Sequence, residues 1–196
     1  MMTAWQEFDV RVTEWIQGTP GRIPLITGGC WSGRTALLAR VGARLGPGAC
    51  QVADVSRITA TPERFLASLV EASPFDIGPS NGSGTGPADA FARALSFLTT
   101  LPAPDRPATF LLDEILDLRV FESFPGLRSI VPDTFKRLVD SENRFVLTTR
   151  FSSRALRVAR ELPGRLLVQA VPALDAGDVA PGLADARGIS ASAAEE

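Results

Sequence analysis

The 196-residue chain contains no histidine, two cysteines and one lysine, Lys136. Without histidine, and with the cysteines far apart in the sequence, a zinc site is not expected. The cysteines do not read as a disulfide either. Cys30 follows the end of one predicted strand, and Cys50 opens the parallel neighbour. Those ends fall on opposite edges of a sheet, on the order of 15 Å apart for strands of this length. A reducing, cytoplasmic setting is the default for such thiols. No apolar run approaches the ~20 residues that cross a bilayer, so no membrane association is expected. The first residues, Met1 to Glu7, have neither a basic nor an apolar stretch of the signal-peptide kind. There is no excess of positive charge: the net charge is −2, which gives no reason to expect a nucleic-acid-coating surface. Cations are almost all arginine, consistent with a genome that favours arginine codons.

Apolar periodicity divides the rest. Trp5, Phe8, Val12, Trp15 and Ile16 recur at helical spacing and predict a helix over about 3–17, ended by Gly18-Thr19-Pro20-Gly21. Ile23 to Thr27 reads as a strand, Thr35 to Leu45 as a helix and Cys50 to Val55 as a second strand. Thr61-Pro62 starts a helix as N-cap and N1. A glycine- and serine-rich stretch, about 74–87, reads as a flexible loop. Helices are then expected over Ala88 to Leu101, within 126–141 and over Ser152 to Leu162. The intervening strands are Thr109 to Glu114, Arg144 to Arg150 and Arg165 to Gln169. Apolar strands separated by helices predict a parallel sheet covered on both faces, an α/β three-layer sandwich of about five strands. The expected domain is 1–174, with 175–196 a partly disordered tail.

Between the first strand and the second helix lies Gly28-Gly29-Cys30-Trp31-Ser32-Gly33-Arg34-Thr35. It fits G-x-x-x-x-G-K-[ST] except that Arg34 replaces lysine. Glycines let backbone N–H groups face a phosphate, and the helix start, with Ala36 behind Thr35, adds partial positive charge. Thr35 would offer its hydroxyl to Mg²⁺. Guanidinium is wide and planar where an ammonium is a narrow point charge, so Arg34 either clashes with phosphates or turns outward. Trp31 is bulky for such a loop, and fills the site or stacks on something. Cys30 is either redox-sensitive at a helix N-terminus or a small filler. The bland alternative is a glycine-rich turn with no ligand.

Asp113-Glu114 ends an apolar strand. One carboxylate there can serve Mg²⁺ and the next can act as general base; alone, the pair would be a solvated strand end. Thr148-Thr149-Arg150 ends another strand, where a hydroxyl and an arginine either read a γ-phosphate or cap and solvate the following helix. Arg160 and Arg165 flank Pro163-Gly164; either could reach a neighbouring subunit's nucleotide, or both are surface cations like Arg154 and Arg157.

In this order the residues resemble P-loop ATPases of the AAA+ and signal-transducing STAND (NB-ARC-like) branches, over roughly Trp5 to Leu174. Gly28 to Thr35 resembles Walker A and Phe110 to Glu114 resembles Walker B. Phe145 to Arg150 resembles the sensor 1 strand, and Pro163-Gly164-Arg165 the passage toward the lid. The resemblance implies strand order 5-1-4-3-2. It also implies phosphates held by Gly28, Gly29, Cys30, Trp31, Ser32, Gly33, Arg34, Thr35, Ala36 and Thr149. Mg²⁺ would be served by Thr35 and Asp113, with Glu114 as base, Arg150 as γ-phosphate sensor and Arg165 near the finger position. It implies ATP and Mg²⁺ as cofactors, and a protein partner or homo-oligomer. Two departures bear on it. Arg34 stands where hydrolysis needs lysine, and the chain stops where a helical lid would begin. Slow hydrolysis or nucleotide-gated assembly is one expectation, and a catalytically dead assembly subunit the other. A DNA-associated role has no visible binding appendage behind it.

Overall fold

The computed structural model describes residues 3–18, 22–46, 48–77 and 84–173. The tail assigned to 175–196, the middle of the predicted 74–87 loop and part of the Gly18–Gly21 cluster lie outside the described residues.

The first helix, α1 (Ala4–Gln17), begins with a capping box: Thr3 accepts from the Gln6 N–H, and the Gln6 side chain accepts from the Thr3 N–H. It is followed by β1 (Ile23–Thr27), α2 (Arg34–Leu45) and β2 (Gln51–Asp54). Then come α3 (Val55–Ile58), α4 (Pro62–Glu71) and α5 (Pro87–Thr99). The second half runs β3 (Thr109–Asp113), a 3₁₀ helix (Ile115–Ser123), α6 (Ile130–Asp140), β4 (Arg144–Thr149), α7 (Ser152–Glu161) and β5 (Leu166–Ala170).

All five strands are parallel, in the order β2-β3-β4-β1-β5, which is 5-1-4-3-2 read from the other edge. β1 and β2 are therefore not neighbours, as the cysteine argument assumed: β3 and β4 lie between them. Both cysteines are free, as expected. Burial pushes the Cys50 thiol pKa up.

Strand side chains alternate between two separate cores. Ile23, Leu25, Phe110, Leu112, Phe145 and Leu147 face α4, α5, α6, α7 and the 3₁₀ helix. Ile26, Leu111 and Val146 face α1 and α2, where Trp5, Phe8, Leu37, Leu38 and Val41 meet them. Asp9, buried in α1, is held by Arg40 of α2 at 2.7 Å, so the two helices are joined by charge as well as packing. Asn143 fastens the end of β4. Its side chain accepts from the Ala108 N–H and donates to the carbonyls of Leu98 and Thr100.

Several element boundaries shift by a residue or two from the sequence reading, two of them for a plain local reason, and one element is new. The second strand stops at Asp54, whose carboxylate accepts from the Ser56 N–H and starts α3. α5 begins at Pro87, inside the predicted loop, because proline suits the first turn of a helix. The 3₁₀ helix after Glu114 was not foreseen. Among the described residues, no helix is long and apolar enough to cross a membrane.

Candidate functional site at the phosphate loop

The carboxyl ends of β1, β3 and β4 converge because the strands are parallel neighbours. This is the end of such a sheet where ligands bind. From the tip of β1 the loop turns into α2 through Gly33, whose φ of 82° only glycine adopts freely. No side chain caps the first turn of α2, so its N–H groups face the loop uncapped. At Gly28 a Cβ would lie 2.5 Å from Ser32 Oγ and 2.6 Å from Val171 Cγ2. The Val171 N–H also donates to the Thr27 carbonyl at 2.9 Å, so the segment leaving β5 rests on the start of the loop.

Arg34 does not turn outward. It is 7% exposed, and its Nη2 donates to Glu114 Oε1 at 2.7 Å while its Nε donates to Ser32 Oγ at 3.3 Å. The guanidinium thus bridges the loop and the acidic strand end. Its third nitrogen, Nη1, is buried and has no partner. The other oxygen of Glu114, Oε2, accepts from the Arg150 backbone N–H at 3.0 Å and lies 3.4 Å from Arg150 Nη1. Arg150 Nη2 reaches Asp117 at 2.9 Å. Burial works against the Arg150 charge, but Asp117 and then Glu114 outweigh it and hold its pKa above the ordinary range. The guanidinium of Arg150 also lies 4.6 Å from the ring centre of Phe151, which Arg119 and Arg154 flank too. Four charges therefore alternate through the site: Arg34, Glu114, Arg150, Asp117.

Asp113 is fully engaged. Thr35 Oγ1 donates to Asp113 Oδ2 at 2.5 Å, and the Thr148 hydroxyl donates to Oδ1. The same Thr148 oxygen accepts from the Glu114 N–H at 3.3 Å. Glu114 itself has a left-handed backbone, φ 54°, and so does Trp31, φ 62°. Of the three described non-glycine residues with positive φ, two therefore flank this site, and such strain concentrates where a site needs it.

The predicted site residues separate into two groups. Gly28 to Thr35, Asp113, Glu114 and Arg150 come together. Trp31 does not fill the site: it is 96% exposed, and Cys30 is exposed beside it. Thr149 is buried and accepts from the Phe151 N–H at 3.2 Å, a local turn ahead of α7, whose first turn has no side-chain cap. Arg165 precedes β5 and lies at the opposite end of the sheet from the loop of its own chain. It donates to the Val139 carbonyl and faces Asp140 at 3.5 Å. Sequence reasoning missed Asp117, three residues beyond Glu114 in the 3₁₀ helix, and the part of Thr148 next to Asp113; the signal for Thr148 was its position near the end of β4.

A cavity of about 360 Å³ opens beside the loop, between Gly28 to Ser32 and Ala170 to Ala173, away from Asp113 and Glu114. A larger groove of about 850 Å³ lies elsewhere, between α5 and α6. Its Asp133, Lys136, Arg137, Asp140 and Glu142 mix both signs, and select no ligand of one charge.

The residues fit a phosphate: uncapped N–H groups at the start of α2, and an unpartnered buried N–H donor on Arg34. Thr35 and Asp113, the hydroxyl and carboxylate that would serve Mg²⁺, lie side by side, joined by a 2.5 Å hydrogen bond; one carboxylate and one hydroxyl beside a bound phosphate are the donors such an ion would use.

No protein-family model matches the chain, and no curated protein resembles it in sequence. Solved structures do. AMPPCP-bound DnaA from Aquifex aeolicus aligns over 97% of this chain and 54% of its own, at 14% identity and a TM-score of 0.52. A Walker-type ATPase of Pyrococcus abyssi aligns over 96% and 61%, at 16% identity and 0.59. Orc1 of Aeropyrum pernix, in complex with DNA, aligns over 94% and 48%, at 18% identity and 0.54. The chain has a P-loop NTPase fold. It spans about half to three-fifths of the length of these proteins, and at such identities the likeness is one of fold.

Proposed function

We propose that this P-loop domain binds a nucleotide and works as a nucleotide-responsive component of a larger assembly, not as a fast ATPase. The Arg34–Glu114 pair at 2.7 Å carries the reading. A general base must accept a proton from the attacking water. Here one oxygen of Glu114 is bound to the cation that replaces the loop lysine, and the other to Arg150. The carboxylate that would activate water is instead the link between loop and sheet. The phosphate-binding half of the site is retained in the glycines, the uncapped α2 start and Thr35. The AMPPCP bound to DnaA supports a nucleotide as ligand here. One similar structure is a DNA complex, so near-neutral charge is no argument against a nucleic-acid partner.

A second reading, a subunit that binds no nucleotide and serves contacts only, is favoured by one observation: Trp31 is held out into solvent by a left-handed backbone at the loop tip. Calorimetric titration with ADP and ATP separates the two. Micromolar binding of either is the expected result. No binding up to millimolar nucleotide would remove the first reading and leave the second.

A further inference from the structure

We propose that the patch around Phe151 is a docking site for an acidic peptide of a partner protein, with Arg119 and Arg154 as the cations that select it. This names the kind of partner for the assembly read above and does not require a nucleotide at the loop. Three guanidiniums converge on one ring: Arg119 and Arg150 lie 4.6 Å from the centre of Phe151, and Arg154 lies 5.4 Å from it. They come from three places in the fold, the 3₁₀ helix, the residue after β4 and the first turn of α7. Their charges therefore fall within one Debye length, ~10 Å, of one another and repel. Arg150 is neutralised by Asp117 and Glu114. The other two are not: among the described residues, neither the Arg119 nor the Arg154 guanidinium has a carboxylate or hydrogen-bond partner. Glu122 is exposed one 3₁₀ turn beyond Arg119, yet Arg119 turns to the ring instead. The ring thus gathers two uncompensated cations, Arg154 exposed and Arg119 half-buried, at one place on the surface.

The missing counter-charge is a pair of carboxylates. A guanidinium presents a planar fork of donors that matches the two oxygens of one carboxylate, so a peptide with two acids a few residues apart supplies one to each arginine. A nucleic-acid strand fits this patch worse. Its bases need a bare aromatic face to stack on, and here guanidiniums already lie against the ring. Its backbone carries a charge at every nucleotide, and Asp117 and Glu122 stand beside the two arginines in the same 3₁₀ helix. A peptide can place its acids only where the arginines are. Arg150 touches both the ring and Glu114, so the patch adjoins the acid behind the phosphate loop without using the donors of the loop itself.

The test is fluorescence anisotropy of a short labelled peptide of Asp, Glu and Ser titrated with the full chain at ~0.1 M salt. The wild type is expected to bind it, and the double variant Arg119→Ala with Arg154→Ala to bind about tenfold or more weakly, the effect of losing charge-assisted contacts. Phe151→Leu keeps every charge but loses the ring that gathers them, and should weaken binding by a smaller factor. Lys136→Ala with Arg137→Ala removes as much charge from the groove between α5 and α6, and should bind like the wild type. An Arg119 and Arg154 variant that binds as well as the wild type, or a groove variant that loses as much, overturns the proposal. Tighter binding of a single-stranded oligonucleotide of equal length also overturns it, and would make the patch a phosphate-backbone contact. No peptide binding up to millimolar protein overturns it as well, while the ADP and ATP titrations stand or fall separately.

Discussion

Glu114→Ala is expected to lower the stability of the protein by about 3 kcal/mol, because removing one member of a buried ion pair leaves the other charged and unpaired. For a domain of this size that corresponds to a fall in melting temperature of about 6–12 °C. The direction is what matters. A carboxylate kept only for chemistry is commonly strained or repelled by its surroundings, and its removal leaves stability unchanged or raises it. Glu114 is bonded on both oxygens and sits 8% exposed between two arginines, and among the described residues Glu114 is the carboxylate that Arg34 pairs with. Its loss strands Arg34 in the interior and frees Arg150 to swing on Asp117 alone. Glu114→Gln keeps an acceptor for Arg34 and should cost less than half as much. Thermal denaturation of the three proteins side by side decides it. An unchanged or higher melting temperature for the alanine variant would show that the pair is not what joins the loop to the sheet.

Arg34→Lys is expected to raise Mg²⁺-dependent ATP turnover by about 10²-fold, at the lower end of what a freed general base contributes. Lysine brings the same charge as a compact ammonium on a flexible stem. It cannot hold Ser32 and Glu114 together with one planar fork as the guanidinium does. Glu114 Oε1 is then released toward the loop, and the space taken by the guanidinium reopens. Arg150 still binds Oε2, which limits the gain. Phosphate release by the two proteins at equal concentration is the measurement. Turnover no higher than wild type would mean that the site is closed to chemistry for reasons beyond Arg34.

What could be foreseen here follows from how local each cause is. The phosphate loop and the Asp113-Glu114 strand end were legible because glycine conformation, helix starts and apolar runs act within a few residues. Strand order followed from those motifs through the resemblance they carry. The partner of Arg34 was not legible: it is contributed 80 residues away, and both expected outcomes for Arg34, a clash or an outward turn, ignored the acid across the loop. Nor could Thr148 be told from Thr149. Alternation along β4 puts one hydroxyl on Asp113 and the other on the Phe151 N–H, and a one-residue difference in register exchanges them. The 3₁₀ helix Ile115–Ser123 offers no start signal, since the residue before it is Glu114 in a left-handed turn with no capping bond.

The sheet is also a thermodynamic partition. Phe110 and Phe145 belong to different strands but stack at 5.7 Å on one face, while Leu38 packs on the other. Truncating Phe110 and Phe145 to alanine together should show a coupling energy of about 0.5–3 kcal/mol, because both edit one packed cluster. Truncating Phe110 with Leu38 should give simple addition, to within about 0.5 kcal/mol, because no neighbour is shared. Substitutions on the face of α1 and α2, the face that carries the helix behind the phosphate loop, can therefore accumulate independently of those on the far side. The two halves of the interior are free to drift as separate mutational compartments joined by one hydrogen-bonded wall.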